Sequence, residues 1–134
     1  MIISEGKILL IHRFFERREY YVIPGGGSEQ GESPEETAVR EAKEETGLAV
    51  TLSRKLWEFT NEKDGRLHIY FLTNNFSGAV RLGGPEAVKN SASDSYILEW
   101  HDLSEIPTLP LVPDLMKKKL IEHFCRDDLS HPRD

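Results

Sequence analysis

Cysteine is almost missing from this chain: Cys125 stands alone among 134 residues. A single thiol forms no internal disulfide and no thiolate zinc cluster, which points to a reducing, cytoplasmic setting. Long apolar runs are missing too, since no stretch approaches the roughly 20 residues that span a bilayer. The opening "MIISEGKILLIHR" has neither the cationic lead nor the extended apolar core of a secretory signal, so no membrane association is expected. Positive charge is in deficit. With 17 basic and 23 acidic residues the formal charge is −6, which opposes a nonspecific grip on duplex nucleic acid. Small phosphorylated ligands stay open, because a bound metal ion offsets their charge locally. Repeats, low-complexity tracts and linkers are absent, so the chain reads as one domain over 1–125 with a polar tail over 126–134.

What is present alternates between β-prone runs and two helical segments. "GKILLIHR" (6–13) is an aliphatic run suited to a mostly buried strand, and "YYVI" (20–23) is a second one, stopped by Pro24 and three glycines. Residues 33–46 predict a helix with both ends signalled. Ser33 is a good N-cap, Pro34 suits the first turn, Glu36 completes a capping box, and Gly47 sits where a left-handed cap belongs. Residues 56–73 predict a hairpin turning at Asp64-Gly65, 74–95 a loop after a short extended piece, and 96–103 another strand. A closing helix over 114–124 is expected to turn Leu115, Met116, Leu120, Ile121 and Phe124 toward the core. The first strand begins close to Met1, so a preceding edge strand is expected to be short or missing. Strands with one internal and one terminal helix predict a small α/β sandwich with a mixed sheet.

The segment "PGGGSEQGESPEETAVREAKEETGLAV" (24–50) carries seven glutamates. At about 100° per residue, Glu41, Glu44 and Glu45 share one helix face. An arbitrary acidic helix is most often a solvated surface. Here the carboxylates crowd the C-terminal half, where the helix dipole disfavours negative charge. They also lie beside a glycine loop that lets backbone approach a ligand closely. Clustered carboxylate oxygens are the ligands Mg²⁺ and Mn²⁺ prefer, usually together with substrate phosphates.

The spacing from Gly26 through Glu32 to "REAKEETGL" (40–48) resembles the Nudix box, G-x5-E-x7-R-E-U-x-E-E-x-G-U. Ala42 is a small residue at a position usually given to a bulkier aliphatic. The flanking "KILLIHR", "YYVIPGGG" and "ILEWHDLSEI" are also similar to the matching parts of Nudix domains, so the resemblance spans nearly the whole chain. It implies an α/β/α sandwich around a mixed sheet, with a loop-helix-loop metal site. It further implies hydrolysis of a pyrophosphate linkage in a nucleoside diphosphate derivative, using Mg²⁺ or Mn²⁺.

By the same resemblance Glu41, Glu44 and Glu45 are metal ligands, joined by the Gly25 carbonyl. Arg40 orients the carboxylates, and Glu32 ties the loop to the helix. Glu44 is the first catalytic carboxylate. Glu86, in the glycine-bearing loop "GGPEAVKNS", is the leading general base outside the box, ahead of Asp94 and Glu99. Arg13 is assigned to substrate phosphates, Gly26 and Gly27 to close backbone approach, and Trp57 and Phe59 to stacking on a base, with core packing expected of at least one of the two. His12, His68 and His101 share no metal spacing and read as structural. The segment 49–69 lacks both Pro and Tyr, a departure from the downstream markers of the ADP-ribose and diadenosine polyphosphate subgroups. Two rival readings are a hydrolase of non-nucleotide diphosphates and a sensor that binds a nucleotide without turning it over. A homodimer is the assembly typical of the family.

Overall fold

The computed structural model describes residues 1–24, 31–60, 65, 67–73, 75–80 and 94–125. Strands Ile3–Ser4 (β1), Lys7–Phe15 (β2) and Arg18–Val22 (β3) follow one another as antiparallel hairpins. Helix Pro34–Thr46 (α1) comes next, then strands Ala49–Thr51 (β4), Arg54–Thr60 (β5), Leu67–Leu72 (β6), Asn75–Ser77 (β7) and Asp94–Asp102 (β8). A 3₁₀ turn over Leu103–Thr108, helix Asp114–Leu120 (α2) and a wider helical turn over Ile121–Cys125 close the described chain.

The centre of the sheet is β2. One edge pairs with β1 and β3, and the other pairs antiparallel with β8 along its full length, from Lys7↔Asp102 to Phe15↔Asp94. Separate antiparallel pairs join β5 to β6 and β4 to β7. Parallel bridges at Ile2↔Thr73 and Tyr21↔Leu111 make the pairing mixed. The hairpin expected over 56–73 is present as β5 and β6, and the short extended piece after it is β7.

Alternation along β2 divides the core in two. Even-numbered Ile8 and Leu10 pack with Tyr21, Ile106, Leu109, Leu111, Met116 and Leu120, beneath α2. Odd-numbered Leu9 packs with Ile2, Ala42, Leu48 and Val50, beneath α1. A strand buried on both faces needs the near-continuous aliphatic run that "KILLI" supplies. The result is helix, sheet, helix, as the resemblance implies.

Two expectations need correction. Leu115 is 45% exposed, because the core stripe of α2 runs through Met116 and Leu120 and Leu115 sits about 100° away. The closing helix is also not one regular α-helix, since α2 ends at Leu120 and the next turn widens.

Both hairpin turns at the start run through positive φ. Glu5 and Gly6 lie at 51° and 74°, and Glu16 and Arg17 at 48° and 64°. Two-residue loops of this hand match the twist of their strands. The second turn adopts it without a glycine, at a steric cost.

Candidate active site

Helix α1 starts and stops where its side chains dictate. The Glu36 amide donates to Ser33 Oγ at 3.1 Å, and the Ser33 amide donates to Glu36 Oε1 at 3.0 Å. At the other end Gly47 adopts φ 80° and donates its amide to the Lys43 carbonyl at 3.0 Å. Ala42 and Leu48 seat the helix on the Leu9 side of the sheet. The helix is therefore fixed at both ends and along one face before any ligand is considered.

On that frame Arg40 gathers three carboxylates. Glu32 accepts from Arg40 Nε at 2.6 Å and from Nη2 at 2.9 Å, a bidentate fork. Arg40 Nη1 stands 3.0 Å from Glu41 and 3.1 Å from Glu44. Thr37 Oγ1 donates to Glu32 Oε1 at 3.1 Å, so the residue preceding the helix is tied to its first turns. Glu36, four positions before Arg40, serves the cap as the sequence predicts. Glu45 is buried at 6% exposure, and the Glu44 side chain is 48% exposed. Lys43 supplies positive charge to the last turn, its Nζ donating to the Gly47 carbonyl at 3.4 Å.

The donor chemistry of this face fits a hard divalent cation. Glu41, Glu44 and Glu45 offer only carboxylate oxygens from one stretch of helix. Among the described residues no three such groups are gathered into a ligand set. Glu41 and Glu44 are held by Arg40, so a cation must compete with the guanidinium for their oxygens. Gly25, Gly26, Gly27 and Glu86, assigned from the sequence to metal, substrate and proton transfer, lie outside the described residues.

The remaining assigned residues divide between the two faces of the sheet. Arg13 is odd-numbered on β2 and 9% exposed. Its Nη1 donates to Asp94 Oδ1 at 2.6 Å and to the Ser95 carbonyl at 3.1 Å, and its guanidinium carbon lies 3.7 Å from the Tyr96 ring centre. Partial burial works against the charge, yet the Asp94 and Tyr20 hydrogen bonds outweigh it and hold the group above its ordinary pKa. Trp57 and Phe59 both pack against the core beneath α2, the role expected of at least one of them. Phe59 stacks on Tyr70 at 5.6 Å and on His68 at 6.0 Å. Trp57 meets His123 edge-on at 5.7 Å and opens onto a cleft of about 270 Å³ also lined by Lys119 and Glu122.

Sequence reasoning missed how the histidines are used. Glu19, His12, Glu99, His101 and Glu105 form an unbroken chain with successive gaps of 2.9, 2.8, 2.7 and 3.2 Å. His12 and Glu99 are 87 positions apart, and only the β2–β8 register makes them diagonal neighbours. The signal available was alternation alone, which puts Glu99 and His101 on one face of a strand. Burial disfavours the charged His12, but its two carboxylate partners outweigh that and raise its pKa. Glu99 shows the converse: burial pushes it up, and bonds from His12 and His101 bring it below the usual carboxylate value.

Known proteins are similar to this chain in sequence and in architecture. A NUDIX domain profile matches residues 1–124. An uncharacterised Nudix hydrolase of Bacillus subtilis is 32% identical over 118 residues, covering 82% of this chain and 67% of that protein. An ADP-ribose pyrophosphatase of Methanocaldococcus jannaschii is 32% identical over 131 residues, covering 94% of this chain and 70% of that one. The crystal structure of a MutT Nudix hydrolase from Burkholderia pseudomallei superimposes with a TM-score of 0.68 at 26% identity, covering 91% and 92% of the two chains.

Proposed function

Because the chain belongs to the Nudix hydrolase family, we propose that it cleaves a pyrophosphate linkage in a nucleoside diphosphate derivative, with Mg²⁺ or Mn²⁺ as cofactor. The observation that carries this reading is the gathering of Glu32, Glu41 and Glu44 around Arg40 on a helix capped at both ends.

Glu41, Glu44 and Glu45 would hold the ion, with the Gly25 carbonyl as a further ligand. When bound, the ion supplies charge for the phosphate oxygens and acidifies an attacking water. The chain's own residues do the rest. Arg40, anchored by Glu32, keeps Glu41 and Glu44 pointed to one side of the helix. Glu44 is half exposed, so solvent can reach it, and it orients or deprotonates the water. Glu86 is the second candidate for that proton. Gly26 and Gly27 would let backbone amides approach the phosphates. Arg13 is assigned to a substrate phosphate, in competition with its bond to Asp94. Trp57 would receive the base at the cleft that it borders, whereas Phe59, assigned to the same role, is taken up by the core with Tyr70 and His68. Residues 1–125 are taken as one catalytic domain, acting in the cytoplasm as a homodimer.

The test is a product-mass screen with Mg²⁺ over nucleoside triphosphates, nucleotide sugars, ADP-ribose, dinucleoside polyphosphates, coenzyme A and isoprenoid diphosphates. The likeness to an ADP-ribose pyrophosphatase over 131 residues is the reason to try ADP-ribose early. Cleavage of a nucleotide substrate at the anhydride bond is the expected result. Turnover confined to non-nucleotide diphosphates would replace the reading with its nearest rival, and binding without turnover would point to a sensor.

A further inference from the structure

The five-membered chain of carboxylates and imidazoles lies on the α2 side of the sheet, away from the helix that carries Glu41, Glu44 and Glu45. It joins four elements: Glu19 from β3, His12 from β2, Glu99 and His101 from β8, and Glu105 from the 3₁₀ turn. We propose that this chain is a proton-dependent latch, complete only when His12 and His101 are both imidazolium, which fixes strand β3 and the 110–112 segment beside it.

The inference follows from donor counting. His12 Nε2 faces Glu19 and its Nδ1 faces Glu99, while His101 Nε2 faces Glu99 and its Nδ1 faces Glu105. A neutral imidazole has one N–H and one lone pair, and an ionised carboxylate only accepts. Four contacts of this kind need four N–H donors, which two neutral rings cannot supply. Loss of one proton turns a lone pair toward a carboxylate, and that link opens.

Tyr21 connects the latch to the backbone. Its ring stacks on His12 at 4.3 Å with 14° between planes, and meets His101 edge-on at 5.0 Å. An aromatic face favours a protonated imidazole over a neutral one. The Tyr21 amide donates to the Pro110 carbonyl at 2.9 Å, and the Val112 amide donates to the Tyr21 carbonyl at 2.9 Å. One residue past β3, at Ile23, the chain reaches Pro24 and the glycine run. Protonation of His12, stacked on Tyr21, thus bears on the strand that precedes the glycine run in sequence.

Among the described residues Lys7 on β2 acts on Glu105, and the Asp102 amide donates to Glu105 Oε1 at 2.9 Å. The titratable Tyr21 hydroxyl also faces the chain: it bonds Glu99, and burial together with Glu99, Glu19 and Glu105 holds its pKa above the ordinary value, so it stays a neutral donor while the imidazoles titrate. Helix α2 contributes apolar Met116 and Leu120 to this core, and the His123 ring packs on Trp57 and Phe124.

His12 is raised, so its contribution is complete below the ordinary imidazole value of 6.5 and disappears as pH climbs through the raised value. Glu99 and Glu105 are lowered, so theirs is complete above the ordinary 4.5 and disappears as pH falls through the lowered values. For His12, Glu99 and Glu105 these ranges overlap between 4.5 and 6.5, and the links made by His12 open on the alkaline side.

The test is an NMR titration of the metal-free wild-type chain, following the histidine Cε1 protons and the Tyr21 and Val112 amides. The latch predicts that His12 titrates above 6.5 and that both amides shift with the same midpoint. In Glu99→Gln that midpoint drops and the two amides lose the step. If His12 titrates at or below its ordinary value in the wild type, or the amides do not follow it, the latch is overturned, whether or not the variant folds. No substrate or metal enters this measurement. Failure of hydrolysis would therefore count against the proposed function alone.

Discussion

Arg40 grips Glu32 with both arms of its guanidinium, Nε at 2.6 Å from Oε2 and Nη2 at 2.9 Å from Oε1. That fork leaves Nη1 to face Glu41 and Glu44. Glu32 thus sets the direction of a cation that in turn sets the direction of two acids. A lysine at position 40 keeps the charge and loses the fork. Arg40→Lys should lower kcat by about 10- to 100-fold with little change in KM and a native circular dichroism spectrum. A wild-type kcat would remove Arg40 from the positioning role.

Glu44 is the most exposed acid of the row and the one assigned to water. Glu44→Gln preserves shape while losing the negative charge, so turnover should drop by about 10²- to 10⁴-fold without a change in thermal midpoint large enough to signal unfolding. Steady-state rates on the best substrate decide it. A variant as fast as the wild type would end the assignment.

The metal dependence has its own check. Dialysis against excess chelator should abolish hydrolysis, and Mg²⁺ or Mn²⁺ should restore it. Undiminished rates in chelator would contradict a carboxylate-held ion.

Trp57 and Trp100 sit in different surroundings. Trp100 stacks on Phe76 at 5.8 Å in the core beneath α1, whereas Trp57 borders the open cleft. In a Trp100→Phe background, a non-hydrolysable nucleotide should quench the remaining emission. Emission unaltered at saturating ligand would confine Trp57 to packing.

The second hairpin turn holds Arg17 at φ 64° with a full side chain. Arg17→Gly should relieve about 1 kcal/mol of strain, less the entropy that glycine adds to the unfolded chain. The net expectation is a small rise in thermal midpoint by calorimetry. A fall would mean that the arginine side chain contributes more than its backbone costs.

Helix α1 was fully legible in the sequence because its caps are local: Ser33, Glu36 and Gly47 act within a few residues of themselves. The hairpin of β5 and β6 was legible for the same reason. The box spacing likewise pointed to the Arg40 row, since residues four apart on a helix must be neighbours. The histidine chain was not legible, because it depends on which residue of β8 stands opposite Leu10, and no local pattern fixes that register. Arg13 illustrates the same limit. Its partner Asp94 is 81 positions away, and a strand-end arginine looks alike whether it meets a phosphate or a carboxylate. Leu115 failed for a different reason, as a short helix offers too few turns to define its stripe.

The two-sided burial of β2 has a consequence for alignment. Sliding β2 by one residue against β8 would exchange its faces. His12 would then turn into the apolar layer under α1, and Arg13 would leave Asp94 and Tyr96. Each face carries a charge whose partner waits only on its own side, so one error is rejected twice. In folding terms the strand proofreads its own pairing.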